Sequence, residues 1–360
     1  MEKKFKLGIL GLGEGISILS AACRSQLAEP TLLCDLDEAL CQERCKSFGL
    51  ERYTTSYDEM LADPRIDCIA IYTPDPLHAQ HIIAAIKAGK HVICTKPLVK
   101  GLQMAAELWN ATKDSDRKLL VGQSCRFFDT FMRQHAKRST VGELISVETH
   151  YNGDKRGGTS GRWGKAGAVD WLYTGLSHPV DMAYWHLGDI ETVSGVATQS
   201  PAAKQQGQQS PDNFHFTLKA KSGAIGRVTG CFGAAQNHPE AESMIGCTLR
   251  GSEGTTQADY PNFNFYSNTD TGGATAQNSN SEHAYYFRWG GAMHHAGEFQ
   301  NYLEYFLQCI ASGERARPDL SDGIKVIATL EAMARAIKTG QPARPDDLLR
   351  EFGLSALVNG

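Results

Sequence analysis

Short apolar runs alternate with helically spaced segments over the first third of the chain. Leu7–Leu10, Thr31–Cys34, Cys68–Thr73, His91–Cys94 and Leu119–Gly122 are the runs. They are apolar on consecutive positions, as strands buried on both faces are. Between two of them, Ile82, Ile83, Ile86 and Lys87 follow Pro76 at helical spacing, and Ala88-Gly89 supplies a helix stop before His91. This alternation predicts βαβ units around a parallel sheet. After about residue 142 the period changes. Glu143–Tyr151, Ile190–Thr198, Phe214–Ala220, Ala224–Phe232 and Met244–Arg250 alternate or are β-branched, and Ser222-Gly223 separates two of them at hairpin spacing. A largely antiparallel sheet is expected there. Gln199–Gln209 and Asn268–Ser281 are polar and read as exposed loops, the second as a mobile flap. Helices are expected at about Ala296–Ser312 and Asp322–Thr339. The first has Phe299, Tyr302, Leu303 and Phe306 on one face, a stripe read as core packing.

The 360 residues suit two domains at roughly 150 residues each. Hydrophobic residues at 41% and charged residues at 21% exclude wholesale disorder. A net charge of −4 gives no electrostatic case for nucleic acid or an anionic membrane as partner. No apolar run reaches the ~18 residues of a membrane helix. The start of the chain lacks the apolar block of a secretory signal, so a cytoplasmic protein is expected. The ten cysteines show no C-x-x-C pair. Cys41 and Cys45, four apart on a helix face, read as buried small hydrophobes or as a metal or redox pair.

Strand Leu7–Leu10 runs into Gly11-Leu12-Gly13-Glu14-Gly15-Ile16. Glycines at Gly11, Gly13 and Gly15 let the backbone turn tightly and approach a pyrophosphate at a helix N-terminus. The third fingerprint position holds Ile16, with Gly15 one place early, which predicts an altered helix–strand contact. Asp35 ends the next strand 22 residues after Gly13, where an acid bonds the ribose hydroxyls and repels a 2′-phosphate. NAD is therefore favoured over NADP. The other reading of Asp35 is a helix cap, a role Asp37 could fill instead.

The runs Ile71–His78 (IYTPDPLH), Ala88–Pro97 (AGKHVICTKP), Val121–Phe127 (VGQSCRF), Val141–Glu143 and Gly175–Asp181 (GLSHPVD) resemble the Gfo/Idh/MocA oxidoreductases, in order and over nearly the whole chain. The resemblance implies an α/β chain with an N-terminal doubly wound Rossmann domain, residues 1–125. An α+β substrate domain with an open, mostly antiparallel sheet would follow, residues 126–360. The last helices of such proteins pack back near the first domain, and the sheet face makes a homo-oligomer interface.

Lys96 follows a strand end and precedes a proline. Alone it reads as a solvated charge or as an ammonium that bonds a hydroxyl undergoing oxidation. The resemblance favours the second, because Lys96-Pro97 matches the lysine of the family's Glu-Lys-Pro motif. Thr95 stands where that motif has its glutamate. His178 opens a helix-like run with Ser177 as a plausible N-cap and Pro179 in the first turn. A helix N-terminus disfavours imidazolium, so His178 reads as a neutral base or as a structural histidine. Asp181, three residues on, could orient it. Many family dehydrogenases carry an aspartate four residues before this histidine, where Thr174 stands here.

NAD would bind across Gly11, Gly13, Gly15 and Asp35, with Thr73, Pro74, His78, Thr95 and Lys96 along its path. Lys96 and His178 would be catalytic. Arg126, Tyr151, Arg156 and Trp163 are candidates for sugar contacts, and so are Tyr173, Thr174 and Asp181; for Arg156 a solvated loop stays open. His294-His295 with Glu298 lacks an evident third ligand, so no metal is expected. The expected activity is hydride transfer from a secondary hydroxyl of a sugar, glycoside or cyclitol. The Thr95 and Thr174 departures look more like glycoside-oxidising relatives, with C3 of a glucoside as the site. The alternatives are redox-neutral glycoside cleavage through a 3-keto intermediate and a non-catalytic dinucleotide-binding regulator.

Overall fold

A computed structural model describes residues 4–156, 169–235, 243–278 and 297–358. In chain order the first elements are β1 (Phe5–Leu10), α1 (Ile16–Arg24), β2 (Ala28–Cys34), α2 (Glu38–Phe48), β3 (Tyr53–Thr54), α3 (Tyr57–Ala62), β4 (Cys68–Ile71), α4 (His78–Lys87), β5 (His91–Thr95), α5 (Leu102–Thr112) and β6 (Leu119–Gly122). Next come α6 (Asp129–Ala136), β7 (Leu144–Gly153), α7 (Trp171–Thr174), α8 (Ser177–Leu187), β8 (Ile190–Thr198), α9 (Pro201–Gln205), β9 (Asn213–Ala220) and β10 (Ile225–Cys231). The chain continues with β11 (Ser243–Gly251), β12 (Gly254–Tyr260), β13 (Asn264–Thr269), β14 (Gly273–Asn278), α10 (Glu298–Ser312), α11 (Leu320–Thr339) and α12 (Pro345–Glu351). They fall into two compact units. One holds the chain up to Phe127 and the segment ending at Ile324; the other starts at Phe128 and resumes at Lys325.

The first unit carries a six-stranded parallel sheet in the order β3-β2-β1-β4-β5-β6. Every residue of β4 and β6 is buried, which accounts for their uninterrupted apolar runs. The order reverses between β1 and β4, and the crevice beyond the carboxyl ends at such a switch point is where ligands bind. The aromatic stripe of α10 is core: Phe299, Tyr302, Leu303 and Phe306 join Leu7, Ile9, Leu19, Ile93 and Leu120 in one buried cluster. The Tyr72 and Tyr302 hydroxyls meet inside it. Cys41 and Cys45 belong to the same cluster, packed as small apolar groups.

The second unit carries an eight-stranded sheet, β14-β13-β12-β11-β7-β10-β9-β8. Only β7 and β10 pair in parallel; the other neighbours are antiparallel. Helix α8 packs on one face over β7, where the Thr149 hydroxyl donates to Pro179 O at 2.8 Å. Helix α6 is fixed beside β12 by Gln134, whose amide donates to Cys247 O at 3.1 Å and Thr256 O at 3.3 Å.

Two of the polar loops are structured. Asn268 lies in β13, and β14 pairs with it from Asn264↔Asn278 to Thr269↔Gly273, so the expected flap is a hairpin as far as Asn278. Its rungs are satisfied by backbone hydrogen bonds, and β14 is exposed throughout, so no apolar alternation was needed. Within Gln199–Gln209 lies α9, capped by Ser200, whose hydroxyl accepts from Ala203 N at 3.1 Å.

Candidate functional site

Gly11 follows β1 with φ +86, and a Cβ there would stand 2.6 Å from Tyr72 O. Only glycine lets the turn pass this close to the end of β4. A Cβ on Gly13 would meet nothing within 4 Å. The backbone there faces open space, which suits close approach of a pyrophosphate. Gly15 is the N-cap of α1, and a Cβ on it would lie 2.0 Å from Gly11 O. The early glycine thus supplies the tight helix–strand contact one position sooner.

Asp35 is not a helix cap. Asp37 caps α2, accepting from Leu40 N at 3.2 Å. One oxygen of Asp35 accepts from Leu12 N at 2.8 Å and the other from Asp37 N at 3.0 Å. Two backbone donors therefore hold this carboxylate against the glycine loop. Open backbone at Gly13, a helix N-terminus and an acid at the end of β2 together fit a dinucleotide with an unphosphorylated ribose.

The turns after β4 and β5 come next along the crevice. His78 is fully buried and joins them: its ring nitrogens lie 2.8 Å from Thr73 O and 2.8 Å from Pro97 O. The Thr73 hydroxyl sits 3.0 Å from His81 Nδ1. Pro74 is exposed. Thr95 ends β5 opposite Gly122, and Lys96 follows it, half-buried. Burial holds the Lys96 ammonium below the usual lysine range, while Asp75, Cys125 and Glu14 pull it back up. Arg126 is buried in the turn after β6, its charge acting on Tyr305. Two acceptors in these turns escape sequence reading: Asp75 Oδ2 and Gln123 Oε1 are buried with no hydrogen-bond partner among the described residues. An Asp beside prolines and a Gln after a strand look like ordinary turn residues, so nothing local marks them.

In the second unit, His178 lies in the first turn of α8 and is 7% exposed. The cap differs from expectation. Leu176 is the N-cap, Ser177 is the first helical residue, and the buried Ser177 hydroxyl has no partner among the described residues. The preceding helix α7 runs almost directly into α8, which moves the start one residue earlier. Asp181 is buried one turn on. The Tyr151 ring centroid is 6.0 Å from that of His178, and its hydroxyl is 3.3 Å from Ser243 Oγ. Trp171 stacks on Phe232 at 4.4 Å, and Phe232 meets Tyr151 edge-on at 5.4 Å. This aromatic wall was not anticipated, because its members come from separate elements. Asp170 caps α7, accepting from Leu172 N at 3.1 Å. Thr174 is half-buried. Tyr173 bonds Glu331, and burial, with that carboxylate beside it, raises its phenol well above the usual range.

Arg156 takes the solvated-loop reading. It is exposed, with Nε 2.9 Å and one terminal nitrogen 2.6 Å from the carboxylate of Asp154. That fork holds the Asp154 carboxyl down at about 2. Trp163 and His294-His295 lie outside the described residues. Among the described residues, no group of three metal-ligating side chains occurs and no helix is long and apolar enough to cross a membrane.

A family model described as an oxidoreductase family with an NAD-binding Rossmann fold matches residues 5–123. Its companion, the C-terminal alpha/beta domain of that family, matches residues 136–344. The chain is 26% identical over 258 residues to levoglucosan dehydrogenase of Pseudarthrobacter phenanthrenivorans, covering 64% of each. It is 27% identical over 210 residues to 2,7-anhydro-N-acetylneuraminate hydratase of Escherichia coli, covering 57% of this chain and 55% of that protein. Both alignments thus span under two-thirds of the curated relative. A solved structure of levoglucosan dehydrogenase with NADH and levoglucosan matches with a TM-score of 0.80 at 21% identity, over 95% of this chain and 99% of that one. At that identity the likeness is one of fold.

Proposed function

The chain belongs to the Gfo/Idh/MocA oxidoreductase family, with its NAD-binding Rossmann domain and C-terminal α/β domain, and from that premise we propose that it oxidises a secondary hydroxyl of a sugar, glycoside or cyclitol, with C3 of a glucoside as the specific site. The observation that carries the reading is Lys96: a half-buried amine at the end of β5, in the same unit as an open glycine turn and an acid that fit NAD. A dehydrogenase among the relatives, named for levoglucosan, supports a carbohydrate as substrate.

Bound in the cradle of Gly11, Gly13, Gly15 and Asp35, NAD would accept the hydride leaving the carbinol carbon. The chain's own residues manage the proton and the charge. Lys96, as ammonium, hydrogen-bonds the substrate oxygen and stabilises the negative charge that grows there. His178, neutral in the first turn of α8, takes the hydroxyl proton, leaving a ketone and an imidazolium. Asp181, buried one turn along, orients the histidine. Tyr151 and Thr174 are assigned to the sugar's other hydroxyls. Tyr173, already bonded to Glu331, serves more as a wall than as a donor.

A second reading has its own support. One relative is named a hydratase, a reaction with no net redox change. Oxidation, bond cleavage and re-reduction by retained cofactor would use the same residues.

The test is to supply NAD with a panel of glucosides, inositols and free hexoses and follow the absorbance of reduced nicotinamide. Release of NADH with a glycoside supports the dehydrogenase; aglycone release without it supports the redox-neutral reaction. Lys96→Ala and His178→Ala should each lose ~10²–10⁴-fold in rate. Activity within about threefold of the parent in both would remove the role assignment.

A further inference from the structure

Asp75 is a buried carboxylate that the mechanism above does not use. It is 4% exposed and sits in a short 3-10 turn, Asp75–Leu77, that does not use it as a cap. Its Oδ2 has no hydrogen-bond partner among the described residues. Lys100 Nζ stands 3.7 Å away, an ion-pair distance longer than a hydrogen bond. A buried carboxylate oxygen without a donor is costly, so nearby positive charge has to compensate it.

The backbone brings that charge close. Strands β4 and β5 are neighbours, with Ile71 opposite Cys94. Asp75 lies four residues past the first and Lys96 two past the second. His78 bolts the two turns together through Thr73 O and Pro97 O. Thr95, directly before Lys96, carries no charge of its own. Carboxylates facing the amine must therefore come from other turns.

We propose that Asp75 is the counter-ion of Lys96, a positioning residue shared with Lys100 that keeps the Lys96 amine charged in its half-buried place. The role rests on the reading of Lys96 as the group that bonds the substrate oxygen. The groups acting on Lys96 are Asp75 after β4, Cys125 after β6 and Glu14 in the glycine loop. Those around Asp75 are Lys100, Cys94 and, one turn on, His78. Of the three acting on Lys96, Asp75 opposes the effect of burial most. An amine in so dry a setting would otherwise shed its proton and lose its value as a donor to a growing alkoxide.

The experiment reads the amine directly, with no substrate present. Protein labelled with ¹³C at lysine Cε is titrated by NMR, and the Lys96 resonance is assigned by its loss in Lys96→Arg. Asp75→Asn should move the midpoint down by roughly one pH unit, as expected for loss of a nearby opposite charge. Asp75→Glu should restore most of that shift. Lys100→Met should move the midpoint up, because it removes a competing cation. An Asp75→Asn midpoint within about 0.2 unit of the parent overturns the proposal. If that variant fails to fold, Asp75→Ser takes its place: the same fall supports the counter-ion role and a midpoint within about 0.2 unit of the parent overturns it. A shifted midpoint in a chain that oxidises no polyol would sink the dehydrogenase reading and leave Asp75 in place. An unmoved midpoint in an active enzyme would do the reverse.

Discussion

At the scale of single residues, backbone conformation and close approach dominate the glycine turn proposed as the cofactor cradle. Gly11→Ala would force a Cβ to within 2.6 Å of Tyr72 O at a φ of +86. That strain costs about 1–3 kcal/mol before the clash is counted. The expected outcome is a lower melting temperature together with NAD affinity at least tenfold weaker by calorimetry. A Gly11→Ala protein that melts and binds like the parent would show that the turn is not the cradle. Gly13 behaves differently, since a Cβ there meets nothing. A substitution at Gly13 should spare stability and harm only binding. Both glycines were legible because a glycine fingerprint is a local pattern. Asp75 was not, because a buried charge shows itself only by what surrounds it.

At the scale of elements, caps and pairings decide what the side chains can do. Asp170 lies eight residues before His178 and is occupied as the cap of α7. It anchors the turn that carries Tyr173 and Thr174. Asp170→Ala should cost ~0.5–2 kcal/mol in urea denaturation, while Asp170→Asn keeps most of it. Equal midpoints for Asp170→Ala and the parent would refute the cap's contribution. Strand β3, only two residues long, escaped the sequence pattern, but the other five strands of the first sheet were read to within three residues at either end, because their inner stretches are apolar without a break. Strands β12 to β14 were not. Strands β12 and β13 bury Thr256, Ser267 and Thr269 along with Ala258 and Phe265, and β14 is exposed throughout, so the apolar period vanishes. Pairing with a neighbour, invisible in a linear pattern, makes them strands.

At the scale of the whole molecule, stability should depend on acid in a defined window. His81 and His91 are each pushed down to about 4, chiefly by burial. His91 Nδ1 also accepts from Lys118 N at 3.0 Å, a bond that a protonated ring cannot make. Their folded values lie below the unfolded value of about 6.5. The unfolded chain therefore binds more protons between about pH 6.5 and 4. The stabilisation is whole above that window and is lost as pH falls through it. The melting temperature should drop by several degrees from pH 7 to pH 5, and a His81→Asn, His91→Asn double variant should show a flatter profile. An identical slope in parent and variant would refute this source of acid sensitivity.

The sequence alone determined what depends on near neighbours. It gave the alternation of buried strands and helices, the glycine turn with its acid at the end of β2, and a lysine at the end of β5. It also gave the aromatic face of α10. Tertiary structure decided what depends on residues far apart in the chain. It made a polar stretch into a paired hairpin, stacked Trp171 on Phe232 and Phe232 against the Tyr151 that faces His178, and buried the Asp75 carboxylate in the turn next to Lys96. The physical reason is one of range: propensity, caps and tight turns act over a few residues. Burial and charge, in contrast, depend on which distant segments meet.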